Sequence, residues 1–263
     1  MAKPQTMIEQ VRSKVSVERE RLRPPSLHAD RKAAKRARHK AKHHKYTKAA
    51  FFRYCYYDPA FKFFCEQVLD VDYLPLPEAT RTASEVGVQN SSDYVCTPFK
   101  HILGDFAEAL DLGADILIQF GGPCRLGYYG ELQDSILRDM GYDFIMLNFA
   151  HGIEKGYIGW AKEVLKTVNP DVDIPHGVVQ MKALARMIAH LDSLRDFYLA
   201  NAGFERERGA FDAAWARAMD AMRACTDERD IAQAYRDAMG EMRAVPLDKP
   251  ADPIRIGIVG EMF

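Results

Sequence analysis

Residues 93–149 read DYVCTPFKHILGDFAEALDLGADILIQFGGPCRLGYYGELQDSILRDMGYDFIMLNF, from Asp93 to Phe149. One unit is repeated: a cysteine in a short loop, a helix, a glycine, and an apolar strand. In the first round Cys96-Thr-Pro-Phe-Lys100 opens a helix to about Leu112, Gly113 ends it, and Ala114–Phe120 is the strand. In the second, Gly121-Gly-Pro-Cys124-Arg125 precedes a helix from Tyr129 to Met140, with Gly141 and then the strand Asp143–Phe149. Ile102, Leu103, Phe106 and Leu110 fall on one helical face, as do Leu132, Ile136 and Leu137. Glycine just past a helix accepts the left-handed conformation that closes the last turn. Near-continuous apolar runs are the mark of parallel strands covered on both faces. In such sheets ligands sit beyond the carboxyl ends of the strands, where Cys124 lies, and Cys96 too if Tyr94-Val95 ends a short strand.

Upstream, Lys48 to Tyr54 reads as a first strand followed by Cys55. Asp58-Pro59 suits the start of a helix to about Leu69, with Phe61, Phe64, Cys65 and Val68 on its apolar face. Asp72–Leu76 is a second strand, halted by Pro75 and Pro77, and Thr80 to Gly87 a short helix. Four strand–helix units joined by crossovers of helical length predict an α/β fold: a flavodoxin-like parallel sheet with helices on both faces, over residues 49–150. Beyond Phe149 a turn leads to a predicted helix over Gly156 to Val168. Residues 151–248 read as a helical subdomain rich in Ala, Met, Leu and Arg. Met181, Leu184, Ala185, Ile188 and Leu191 are expected on one buried face, and Trp215, Met219 and Met222 on another. Residues 249–263 end on the apolar strand Ile254–Val259.

The net charge of −1 conceals an asymmetry. Residues 1–48 hold fifteen Lys or Arg against four Asp or Glu, with a basic block from Arg31 to Lys45. That segment reads as a flexible arm with no continuous apolar face. A polyanion such as nucleic acid would bind it through phosphates, but no aromatic platform or base-reading motif accompanies it. Docking onto an acidic partner, or onto the acidic remainder of the chain, is the plainer reading. His39 and His43 have a zinc-capable spacing but no thiol or carboxylate neighbour to complete a site. Five cysteines, no secretory signal and no membrane-spanning apolar run suit a reducing cytoplasm, where thiols are free, catalytic or metal-bound.

The string Cys96, Pro98, Phe99, Lys100 followed by Gly122, Pro123, Cys124, Arg125, Gly127, Tyr128, Tyr129, Gly130 and Glu131 resembles the iron–sulfur proteins related to 2-hydroxyacyl-CoA dehydratases. These include benzoyl-CoA reductase subunits and double-cubane cluster proteins. The resemblance covers Ala49 to Phe149 and, more weakly, the final strand. It implies that Cys96 and Cys124 hold a 4Fe-4S or double-cubane cluster, with Cys55 as a third candidate ligand on the same rim. It also implies an ATP-hydrolysing activator as the source of low-potential electrons. Thiolates are the ligands such clusters need. Gly121 stands where many relatives carry a further cysteine. In the family a strand like Ile254–Val259 opens a second α/β domain, expected here on another chain or missing.

Lys100 and Arg125 could neutralise a cluster or bind CoA-like phosphates; each could equally be a solvated cation at a helix start. Gly121 and Gly122 let backbone approach a ligand, and the helix N-terminus at Tyr129 favours negative charge. Tyr56, Tyr57, Tyr128 and Tyr129 are expected to wall the pocket or simply to pack. Cys65 and Cys225 read as structural. The sequence therefore points to an iron–sulfur electron-transfer or reductase-type subunit. Its rivals are a non-enzymatic interaction protein with a decayed α/β domain and basic arm, and a metal-free nucleotide- or flavin-binding domain.

Overall fold

The computed structural model describes residues 47–54, 56–79, 81–120, 128–149, 167–169, 173–252 and 257. The basic arm up to residue 46, most of the predicted helix over 156–168 and all of the predicted strand over 254–259 except Gly257 lie outside them.

Four short strands form the sheet: β1 (Lys48–Phe51), β2 (Asp72–Tyr73), β3 (Ile116–Gln119) and β4 (Ile145–Asn148). All pairings are parallel, in the order β2-β1-β3-β4. This is the flavodoxin-like order, in which the chain reverses direction across the sheet between β1 and β3. Ala49 stands opposite Ile116, and Ile116 opposite Ile145. The Asp115 carboxylate holds the amino end in register, accepting from the backbone N–H groups of Thr47 at 2.8 Å and Lys48 at 2.7 Å.

Alternation along the strands divides the core. Ala49, Phe51, Ile116, Ile118 and Leu147 face one side; Ala50, Phe52, Leu117 and Phe144 face the other. The first side is covered by α1 (Asp58–Phe63), which continues as a π-helical turn over Phe64–Val68. On the same side lie α5 (Ile174–Asn201), α6 (Ala210–Ala224) and α7 (Glu228–Ala244), so sheet and helical region share one apolar core. The second side is covered by α3 (Thr97–Asp111) and α4 (Tyr129–Asp139), with α2 (Arg81–Gln89) packed on α3.

Helix boundaries follow local chemistry. Gly113 and Gly141, at φ +94° and +97°, end α3 and α4 as expected. Asp173 caps α5 by accepting from His176 N–H, and Asp227 caps α7 by accepting from Arg229 and Asp230 N–H. The Ala-rich run from Phe204 breaks there into two helices. Asp58 does not cap α1 with its side chain. It accepts instead from the Tyr73 hydroxyl at 2.7 Å and from Arg223 at 2.6 Å, which ties α6 to the sheet layer. Burial, then the Asp58 charge, pushes the Tyr73 phenol far up, so this donor keeps its proton.

Three expectations are corrected. Tyr94-Val95 is no strand: Val95 N–H bonds back to the Ser92 carbonyl in a turn, so α2 and α3 together make the crossover from β2 to β3. Leu132 is half exposed, because the buried face of α4 is Tyr129, Gly130, Gln133 and Leu137. On α5 the buried stripe is Ala183, Leu184, Met187, Leu191 and Leu194, which leaves Met181, Ala185 and Ile188 exposed.

Helices α2 and α3 cross at backbone contact. A Cβ on Gly87 would stand 1.8 Å from the Lys100 carbonyl oxygen, and one on Gly104 would stand 1.9 Å from that of Ala83. Either glycine replaced by alanine should cost about 3 kcal/mol in urea unfolding, the upper range for overpacking, because backbone must move. Gly240→Ala, inside α7 with nothing within 4 Å of the new Cβ, should instead gain up to about 1 kcal/mol of helix propensity.

Candidate functional site at the carboxyl rim

Every parallel strand delivers its following loop to the same rim. The loops after β1 and β3 flank the point where the strand order reverses, which is where open α/β sheets bind ligands. The predicted site residues distribute as follows. Cys96 and Lys100 are described; Cys55, Gly121, Gly122, Cys124 and Arg125 lie outside the described residues.

Cys96 is the N-cap of α3, in extended conformation, with proline in the helix's first turn. It reaches the rim through a helix start rather than a strand end. Its thiol is exposed. Its Sγ lies 2.7 Å from the Tyr129 hydroxyl, at the start of α4 and five residues beyond Cys124. The Tyr129 ring is buried edge-on against Phe99, with centroids 4.8 Å apart. Below this contact a buried amide chain joins three elements. Gln119, at the end of β3, donates from Nε2 to Gln133 Oε1 on α4 at 2.8 Å, and Gln133 donates to the Phe99 carbonyl at 3.4 Å. Both glutamines are fully buried. Gln119 Oε1 has no hydrogen-bond partner among the described residues and lies two positions before Gly121. Gly130 lets α4 approach β4, since a Cβ there would stand 2.4 Å from Asn148 Nδ2. Lys100 is half-buried on the first turn of α3, with its ammonium 3.5 Å from the Asp93 carbonyl.

The segment that carries Cys55 is pinned on both flanks. Before it, the Arg53 guanidinium pairs with Asp105 and with Glu108 at 2.5 Å, and donates to the Pro77 carbonyl at 2.7 Å. The Arg53 N–H also donates to Asp105 at 2.8 Å. Burial works against the Arg53 charge, but the bonds to Glu108 and Asp105 outweigh it and raise the pKa. Burial likewise raises the Asp105 carboxyl, with Arg53 opposing it. After Cys55, the Tyr56 and Tyr57 hydroxyls both donate to Asp192 on α5, at 3.0 and 2.6 Å. Burial and this bond push the Tyr57 phenol far up. Arg53, Gln119, Gln133 and Asp192 were not singled out from the sequence. A lone polar residue at a strand end or on an apolar helix face was the only signal they offered.

The described residues contain no group of three or more His, Cys, Asp or Glu able to hold a metal. At the rim they offer one exposed thiol at a helix N-terminus, where the field favours an anionic group. Cys65 and Cys225 are buried, and burial pushes the Cys225 thiol up to about 11. No described helix is long and apolar enough to cross a membrane. Compared with known proteins, the chain matches no family model, no curated protein and no solved structure.

The amide chain makes a measurable demand. Gln133→Leu strands the buried Gln119 amide and should cost about 1–3 kcal/mol in urea unfolding. Replacing Gln119 and Gln133 together by leucine should cost less than the sum of the two single changes, because no buried partner is left behind.

Proposed function

We propose that the chain is an iron–sulfur electron-transfer or reductase-type subunit related to the 2-hydroxyacyl-CoA dehydratases. It works in the cytoplasm and receives low-potential electrons from an ATP-hydrolysing activator protein. One observation carries the reading: the exposed Cys96 thiol stands against Tyr129, five residues after Cys124 in the sequence, on the rim where ligands bind. Cys124 stands 28 residues after Cys96 and five before Tyr129 in the sequence, which supports reading the two thiols together. Cys55 follows β1, whose end borders the same switch point, which supports reading it as a third ligand.

In this reading Cys96 and Cys124 ligate a 4Fe-4S or double-cubane cluster, and Cys55 adds a ligand. When bound, the cluster supplies one-electron chemistry. The chain's own groups hold and tune it. The Tyr129 hydroxyl donates toward the Cys96 sulfur, and hydrogen bonds to ligand sulfurs are one of the levers on cluster potential. The N-terminal dipole of α3, Lys100 and Arg125 offset negative charge. Gly121 and Gly122 let backbone come close.

The test is reconstitution of the full chain with iron and sulfide in the absence of oxygen. The expected product is brown and holds roughly four irons per cubane. Cys96→Ser and Cys124→Ser should each lower the iron bound, whereas Cys65→Ser and Cys225→Ser should leave it unchanged. A colourless, iron-free protein would overturn the reading and favour the rival of a metal-free interaction domain with a basic arm.

A further inference from the structure

A second feature of the rim is independent of any cysteine. On the α1 face of the sheet, at the same switch point, lies a half-enclosed cavity of about 460 Å³. Phe51 and Phe120, at the ends of β1 and β3, and Phe149, after β4, form its floor; Phe61, Phe64 and Leu184 form its walls. Its rings are organised. Phe120 packs on Phe51, Phe61 and Phe149 with centroids 5.2–5.6 Å apart, and Phe51 stacks on Phe61 at 4.1 Å. The mouth is made by Tyr54, Met181 and Ile188, which are 40%, 44% and 37% exposed. Met181, Leu184 and Ile188 form one stripe of α5, in which Met181 and Ile188 depart from the expected buried face.

Protein interiors pack as densely as organic crystals, yet the described side chains leave this apolar cleft unfilled. It is also poorly suited to water, which needs two to four polar partners. Among the described lining residues the side-chain polar groups are the hydroxyls of Tyr54 and Tyr57, and Tyr57 already donates to Asp192. Among the described residues no Lys, Arg, Asp or Glu lines it, so against this lining an ionised ligand would lose its hydration without gaining a partner. An apolar cavity of about 150 Å³ takes up benzene, and this one is roughly three times larger.

We propose that the cavity binds a neutral aromatic compound of two to three fused or linked rings, sandwiched between the phenylalanine floor and the 181–184–188 stripe of α5. The tyrosine hydroxyls at the mouth receive whatever single polar group it carries. The site needs neither iron nor a thioester.

The probe is N-phenyl-1-naphthylamine, added to the full-length, metal-free chain; its sulfonated analogue 1-anilinonaphthalene-8-sulfonate serves as the charged control. Expected is a saturable, blue-shifted fluorescence rise with one probe per chain, at least ten-fold tighter than the sulfonate and displaced by phenanthrene. Met181→Trp and Ile188→Trp place bulk at the already exposed mouth. Each should weaken the probe ten-fold or more without shifting the thermal melt. Non-saturable binding, a sulfonate that binds as tightly as the neutral probe, or failure of phenanthrene to compete would overturn the proposal. So would two folded tryptophan variants that bind like the parent. Phenanthrene displacement on the unmodified protein decides the matter if a variant fails to fold. Iron content is not measured, so the cluster reading stands or falls separately.

Discussion

A parallel sheet must return its chain to the same starting edge after every strand, and it does so through helices. Each strand-to-helix loop is therefore delivered to a single rim, and the amino ends are left for structural closure. Here the division is plain. At the amino end the Asp115 carboxylate fastens β1 beside β3. At the carboxyl end stand Arg53, Cys96, Gln119 and Tyr129, each bonded to an element distant in sequence. The reversal of strand order between β1 and β3 opens the rim at one point. The aromatic cavity and the segments flanking Cys55 and Cys124 all gather there.

Close backbone approach makes that rim rigid. Gly87 and Gly104 let α2 lie directly on α3, which fixes the helix whose first turn presents Cys96. Gly130 lets α4 lie on Asn148, which fixes Tyr129. The Gln119–Gln133–Phe99 chain then couples the two helix starts through a strand end. Buried amides carry a heavy desolvation cost unless they are paired, so this chain tolerates few alternative arrangements.

The strands and most helices were legible because their signals are local. Runs such as Ile116-Leu-Ile-Gln119, and glycines at the ends of α3 and α4, declare themselves within a few residues. That helices cover both faces of the sheet was legible too, from the near-continuous apolar runs of the strands and the crossovers of helical length. What escaped depended on contacts distant in sequence. Leu132 fits an apolar helical face by spacing, yet Gln133 is buried in its place because Gln119 and the Phe99 carbonyl lie opposite. Met181 and Ile188 fit the core stripe of α5, yet they rim a cavity that exists only once β1, β3 and α1 have assembled. Tyr94-Val95 has strand-forming residues but no neighbouring strand to pair with, and Asp58 suited a cap until Tyr73 and Arg223 claimed it. For the site, the cysteine motifs were visible, whereas Arg53 and Asp192, which hold the flanks of Cys55, gave no local sign.

The central claim is that the rim brings the Cys96 and Cys124 thiols within reach of one another. The most direct measurement uses a metal-free chain that retains only these two cysteines, treated with dibromobimane, which fluoresces when it bridges two thiols within several ångströms. The account predicts bright, intramolecularly bridged protein, with a cross-linked peptide pair recovered by mass spectrometry and the signal lost on unfolding in urea. Two singly alkylated thiols and no bridged peptide in the folded protein would contradict it.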